Sequence, residues 1–302
     1  MKLINSSVEI LHQESGLEGI YKQIELAGRT CYKSEGNITK DSAKDFVERM
    51  VKSGHTAMLE HGTVYLYSLN SYDALKHYKY NSYSSYQDIY SHKEVCQSDV
   101  DYYSHEYVTT NYRVLVENNW LDDLQYLCEP TEYHHNKRIT VKFTTDQGVM
   151  RELTRHRRFS FAVESTRYCN YSKDKFDNEV TFIMPVLFTT GEYNMELGDY
   201  GTKGDPKRKN VAARYGTFED FKTSLLDAEC YYMKLIKDGL SAQHARQVLP
   251  LATKCDVIMT GFIPDWKHFF DLRYFEKTGK VHPDMKKLTT ELYNLFKEEK
   301  YV

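Results

Sequence analysis

The chain has no Cys-x-x-Cys pair, no Gly-x-Gly-x-x-Gly turn and no apolar run near the roughly 20 residues that a membrane-spanning helix needs. Its six cysteines, Cys31, Cys96, Cys128, Cys169, Cys230 and Cys255, are scattered, which fits reduced thiols better than a disulfide framework or a zinc site. The His134-His135 pair has no second ligand pair at metal spacing, so it reads as a polar loop and no metal is expected. Without the glycine turn, a Rossmann dinucleotide site within one chain is not offered. Excess charge is also missing: 40 basic against 43 acidic residues give a net charge of −3. That balance speaks against a general nucleic-acid or membrane-surface binder, so any positive site must be local. The start of the chain lacks the apolar stretch of a signal peptide, and a cytoplasmic protein is expected. No repeat, low-complexity tract or linker divides the 302 residues, of which 41% are hydrophobic, enough for a sizeable core.

What is present is a concentration of cations. Residues 155–168 run Arg155-His156-Arg157-Arg158-Phe159-Ser160-Phe161-Ala162-Val163-Glu164-Ser165-Thr166-Arg167-Tyr168. Arginine clusters are usually solvated faces or ion-pair networks, and cations after a helix are favoured by its dipole alone. Here they alternate with hydroxyls and aromatic rings. Guanidinium forks bind phosphate or a planar anionic edge bidentately, serine hydroxyls complete such a cradle, and His156 can stack or hydrogen-bond on a heteroaromatic ring. The segment suits a nucleotide-shaped ligand.

Periodicity places this segment in a mixed fold. Leu17, Ile20, Ile24 and Ala27 predict one helix; Ala43, Phe46, Val47, Met50 and Val51 predict a second that stops at Gly54. Residues 63–69 alternate as a strand. From about 71 to 133 the chain is tyrosine-rich and irregular, with Tyr78, Tyr80, Tyr83, Tyr86 and Tyr90 spaced for either a helical face or a long structured insertion; it is read as subunit-interface or lid material. Residues 138–145 predict a strand, and Asp146 an N-cap for a helix that delivers Arg155. A short strand is expected at 180–186, a charged loop at 191–210, and a helix at 218–238 closed by Gly239. Ser241 should cap a short helix ending at Leu249-Pro250. A strand at 254–260 and a helix at 264–273, with Trp266, Phe269 and Phe270 inward, follow. Helices and strands without regular βαβ alternation indicate an α+β class.

Arg155-His156-Arg157, seven residues, then Ser165 and Arg167 is similar to the signature of the flavin-dependent thymidylate synthases. Gly54-His55 and Glu60-His61 resemble that family's Gly-His-x-Ser/Thr-x-x-Glu-His stretch, which touches the flavin, with Ala57 in place of the hydroxyl residue. Ala245-Arg246 and Leu249-Pro250 match its Ala-Arg-x-x-Leu-Pro motif, and Phe269, Leu272-Arg273 and His282-Pro283 also look like it. Three further positions depart: Phe262 and Pro264 stand where many relatives carry Asn and Arg against the flavin, and Ala162 where they carry another Asn. The resemblance covers residues 71–133 poorly.

The resemblance implies one domain over residues 1–302, built on a central, largely antiparallel sheet flanked by helices. It also implies a homotetramer with active sites between subunits. It implies dUMP contacts from Glu152, Arg155, Glu164, Ser165, Thr166, Arg167, Arg246 and Arg273, and FAD contacts from His55, Ala57, Glu60, Arg155, His156, Arg157, Val163 and His268. The implied reaction is reductive methylation of dUMP to dTMP, with methylenetetrahydrofolate as carbon donor and NADPH-reduced FAD as reductant. Arg273 is then the catalytic candidate: an arginine beside the pyrimidine edge stabilises charge growing there as carbon 5 attacks. Ser165 is a phosphate ligand rather than a nucleophile, and the substituted contacts imply looser flavin retention. A sister reaction transferring a hydroxymethyl group shares every one of these features. A regulatory nucleotide-binding protein that has lost flavin, suggested by Ala57, Ala162, Phe262 and Pro264, is a second alternative. A single-stranded nucleic-acid binder using tyrosine platforms is a third, against which the acidic balance speaks.

Overall fold

The computed structural model of the chain describes residues 1–69, 74–96, 99–189 and 218–302, so the loop expected at 191–210 lies outside the described residues. Nine strands and eight α-helices are named here among those residues: β1 Lys2–Asn5, β2 Ser7–Leu11, α1 Gly16–Tyr32, α2 Ser42–Ser53, β3 Thr63–Leu69, β4 Ser85–Cys96, β5 Asp99–Asn111, α3 Tyr112–Asn118, β6 Arg138–Asp146, α4 Gln147–Leu153, β7 Ser160–Val163, β8 Thr181–Met184, α5 Phe218–Lys237, α6 Ala242–Ala245, β9 Lys254–Phe262, α7 Ile263–Arg273 and α8 Pro283–Glu298. The fold is α+β, as the mixed periodicities indicate.

The centre is a four-stranded, wholly antiparallel sheet in the order β2-β6-β9-β7. Because side chains alternate along a strand, β9 serves two cores, while β6 turns Ile139, Val141 and Phe143 to one of them. Val141, Phe143, Cys255, Val257 and Met259 pack against Trp266, Phe269 and Phe270 of α7 and against Met285, Leu288, Leu292 and Phe296 of α8. Ile258 and Ala162 point the other way, onto Ala27 of α1. A different stripe of α1, Ile20 and Ile24, packs on β3 and β5 of a second antiparallel sheet, ordered β3-β5-β4. A two-stranded parallel sheet, β1-β8, forms a third core with Leu225 and Tyr232 of α5.

Local signals fix several boundaries. Gly54 ends α2 with φ +72°, and the Asp146 carboxylate accepts from Val149 N at 2.8 Å to cap α4. Ser241 takes the N-cap position of α6, but its hydroxyl pairs with His244 Nδ1 at 3.1 Å and caps no amide. The tyrosine-rich stretch forms no helical face: after a 3₁₀ turn at Lys76–Tyr80 it becomes the β4–β5 hairpin, whose β5 pairs with β3. Tyr86 is half-buried on β4, while Tyr83, which precedes the strand, and Tyr90, further along it, are exposed.

One packing contact ties the arginine segment to the sheet. Phe159 lies against Gly261 of β9 so closely that a Cβ there would sit 2.4 Å from its ring, and that ring meets Trp266 edge-on at 4.7 Å. Gly261→Ala is therefore expected to displace Phe159 and lower stability by about 1–3 kcal/mol, the usual cost of overpacking. Urea denaturation checks this; an unchanged midpoint would mean that the ring moves aside freely.

Candidate functional site

The two ends of the 155–168 segment are delivered to different places. After β7, Ser165 N donates to Cys31 O at 2.9 Å, which fastens this end beside α1. The following residues meet the α6 region, 80 positions on: Arg246 Nη1 donates to Thr166 Oγ1 at 3.1 Å, and Arg167 Nε donates to Gln243 Oε1 at 3.1 Å. Two exposed guanidinium groups thus stand beside a hydroxyl and a turn, an arrangement suited to a phosphate or an anionic ring edge. Arg167 also lies over the Tyr168 ring, which contacts Tyr32.

Beneath this surface runs a buried ion network that sequence reasoning did not find, apart from Glu164. Lys254 Nζ bridges Glu164, at 2.8 Å, and Asp256; Lys33 Nζ also reaches Asp256, at 2.7 Å, and Glu35, at 2.8 Å. Burial acts to raise the Asp256 carboxyl, but the two ammonium groups hold it down to about 2. Glu164, deeper and sharing Lys254, is pushed up instead. Its carboxylate accepts from Asp256 N at 3.1 Å, so Glu164 positions the start of the Ser165 turn and faces no open surface.

The other end of the segment joins α4 to α7. Arg273, at the last turn of α7, donates from Nη1 to Glu152 Oε2 at 2.9 Å and from Nε to His156 Nε2 at 3.0 Å. His156 therefore offers Nε2 as acceptor, and its ring packs edge-on against Phe269 at 4.8 Å. Burial, then Arg273 and His268, lowers His156 to about 4, which keeps the imidazole neutral. One N–H on each terminal nitrogen of Arg273 has no acceptor among the described residues. This cluster lies on the α7 side of the central sheet, while the Ser165 turn is tied to α1 on the opposite side.

His156 makes stability pH-dependent. Its folded value, about 4, is below the ordinary 6.5, so the unfolded chain takes up the proton first. The contribution is present in full above 6.5 and is lost as pH falls through 4. Fully buried His61, lowered to about 3 by burial and by Arg138, acts in the same direction. The urea midpoint should drop between pH 6.5 and 4, and His156→Gln should flatten part of that drop; parallel curves for variant and wild type would contradict the assignment.

The residues expected at the flavin do not fall in one place. His55 and Ala57 are exposed beside a cavity of about 420 Å³ that Cys31, Tyr32 and Met58 also line. Glu60 and Arg157 line a second cavity of about 740 Å³, together with Phe262 and Pro264. His268 is exposed on α7, and Val163 closes β7 at the Ser165 end. Arg155 is exposed between the two ends. Arg138, which sequence reasoning also missed, lines the second cavity.

Residues 118–300, more than half of the chain, match the family model described as Thy1, thymidylate synthase complementing protein. The chain belongs to that family. The match holds residues 155–168, Arg246 and Arg273, and begins after His55 and Glu60. A probable flavin-dependent thymidylate synthase of Paramecium bursaria Chlorella virus 1 is 25% identical over 157 residues, 51% of this chain and 65% of that protein. Flavin-dependent thymidylate synthases of Synechocystis sp. and Geobacter sulfurreducens are 23% and 29% identical over 49% and 48% of this chain. The matches span 61% and 50% of those two proteins, so this chain covers less than two thirds of each of the three relatives. Among solved structures, the UMP/dUMP methylase PolB from Streptomyces cacaoi, bound with 5-Br dUMP, aligns over 99% of this chain and 93% of its own, with 14% identity and a TM-score of 0.42.

Proposed function

We propose that this family member is a flavin-dependent thymidylate synthase that converts dUMP to dTMP, with methylenetetrahydrofolate as carbon donor and NADPH as the source of electrons. One observation carries the reading. The signature reaches both sides of the sheet: Thr166 and Arg167 meet Arg246 and Gln243 on one, and His156 meets Arg273, itself paired with Glu152, on the other. A single nucleotide bridging both sets needs a second copy of the chain, which supports shared sites; the homotetramer, one domain per chain and the cytoplasmic location are carried over from the family resemblance and the sequence reading.

The donor set fits a flavin dinucleotide. Cationic Arg157 and buried Arg138 share a cavity of about 740 Å³ with the Phe262 ring, within the range of cofactor pockets. When bound, reduced FAD supplies the reducing electrons. This chain's own residues do the rest. Arg167 and Ser165 bind the phosphate and Arg246 the uracil side, while Arg155, Thr166 and Glu164 complete and support that surface. Arg273, oriented by Glu152 and His156, stabilises charge growing at nitrogen 3 and oxygen 4 as carbon 5 attacks. No cysteine nucleophile is needed at carbon 6. Burial pushes Cys31 and Cys128 up to about 11 and Cys169 to about 12, so these thiols stay protonated at neutral pH.

Shared sites have a direct consequence. When Arg167→Ala and Arg273→Ala chains are co-expressed, random assembly gives roughly a quarter of the sites both intact arginines. Activity should return to about that fraction of wild type. Mixed assemblies as inactive as either parent would place both arginines in one subunit's site and sink the reading.

A further inference from the structure

Arg138 opens β6 on the polar face of the strand, and the chain around it leaves only 8% of the residue exposed. Its guanidinium donates to Glu60 O at 3.0 Å, to Thr63 Oγ1 at 3.3 Å and to Ser160 Oγ at 3.4 Å, and lies 5.6 Å from the Phe262 ring centre. All of these partners are neutral. A buried cation without a counter-ion carries a desolvation penalty that a bound anion relieves.

The nearby carboxylates are taken by other arginines. Glu60 Oε1 pairs with Arg113, and Asp265 Oδ1 with Arg158 at 3.2 Å. Among the described residues, neither Arg138 nor Arg157 has an acidic partner within ion-pair distance. Both line the 740 Å³ cavity, which is also lined by Ser82, Ser84 and Ser85, the run that leads into the β4–β5 hairpin, and by the arginine-paired Glu60 and Asp265. The Ser84 hydroxyl is engaged with Thr110 Oγ1 at 2.8 Å, while Ser82 and Ser85 line the cavity beside it. Burial also draws Arg138 down to about 10, a shift that the more distant Glu60 and Asp265 carboxylates oppose without cancelling.

We propose that Arg138 and the Ser82–Ser85 run form a diphosphate-binding corner in this cavity, anchoring the phosphates of the flavin dinucleotide where Phe262 and Pro264 offer no polar contact. The planar fork suits two phosphate oxygens, and the insertion contributes Ser82 and Ser85 to the lining of the same cavity. The corner rests on the flavin reading and changes one expectation. Retention of FAD is stronger than the substituted contacts alone imply, and the insertion serves the cofactor as well as the sheet.

The test compares FAD with riboflavin, which has the same ring and no phosphate, by quenching of flavin fluorescence on the full chain. Wild type should prefer FAD by roughly 30-fold or more. Arg138→Met should weaken FAD by roughly 10–100-fold and leave riboflavin unchanged, so that the preference collapses, with Arg138→Lys between the two. A preference kept in Arg138→Met overturns the corner. Should that variant fail to fold, Ser85→Asp sets a carboxylate at the rim with Arg138 intact, and it must cost FAD binding but not riboflavin binding. Inorganic pyrophosphate separates this inference from the flavin reading. If neither flavin binds, yet pyrophosphate raises the melting temperature of wild type and not of Ser85→Asp, the flavin reading fails and the corner stands. Equal shifts in the two proteins overturn the corner.

Discussion

Arg273→Lys is expected to lower thymidylate formation by roughly 10²–10³-fold, the effect of losing one preorganised donor, while flavin reduction by NADPH keeps its wild-type rate. The competing view is that Arg273 is a staple between α4 and α7, since Glu152 and His156 both bind it. Magnitudes separate the two. A partly exposed ion pair contributes about 0.2–1 kcal/mol, and lysine would keep most of that through its charge. Lysine cannot reproduce the fork that contacts Glu152, His156 and a substrate edge at once. In the proposed site, Glu152 and His156 would act through Arg273. An anionic acceptor on one nitrogen and a neutral one on another fix the guanidinium plane before substrate arrives. If both half-reactions fall together, or neither falls, Arg273 is structural and the activating group is Arg246.

The second large effect concerns nucleotide affinity. Arg167→Ala should weaken dUMP binding by roughly 10–100-fold, the range for hydrogen bonds to a charged group. The upper end of the effect seen for buried charge pairs is not expected, because Arg167 is exposed in the single chain. Calorimetric titration of dUMP into the variant checks this, with Gln243→Ala as control. Gln243 only steadies the Arg167 side chain through Nε, so its loss should cost severalfold at most. An unchanged affinity in Arg167→Ala would move the phosphate elsewhere.

Much of the frame was legible because local rules and tertiary packing agree. α1 and α2 follow their apolar spacing, β3 its alternation, and α4 the Asp146 cap. α8 was equally legible, since Met285, Leu288, Leu292 and Phe296 keep helical steps after a His-Pro start, although the sequence reading assigned no helix there. β1 and β2 were not legible. Each has five residues or fewer, and each pairs with a strand more than 120 positions away, so register comes only from the assembled fold. The tyrosine spacing from Tyr78 to Tyr90 left a helical face and a structured insertion both open, because steps of two to four suit helix and strand alike.

The site divides in the same way. Motif spacing marked Ser165, Arg167, Arg246 and Arg273, and the fold brings Thr166 to Arg246, Arg167 to Gln243 and Glu152 to Arg273. Spacing could not reveal Lys33, Lys254 and Asp256, whose charges meet only because the end of α1 reaches β9. Nor could it reveal that Arg138, on the polar side of β6, is covered by the Glu60 turn.

The central claim is that both sides of the sheet serve one reaction, transfer of a one-carbon unit to dUMP followed by its reduction with electrons from flavin. The most direct measurement incubates the purified chain with FAD, NADPH, dUMP and methylenetetrahydrofolate labelled in its one-carbon unit, then identifies the nucleotide product by mass. The account predicts labelled dTMP, formed only when all four are present, with bleaching of the flavin absorbance by NADPH. A labelled 5-hydroxymethyl nucleotide, dTMP formed without flavin, or a protein that neither takes up flavin nor changes dUMP would contradict it.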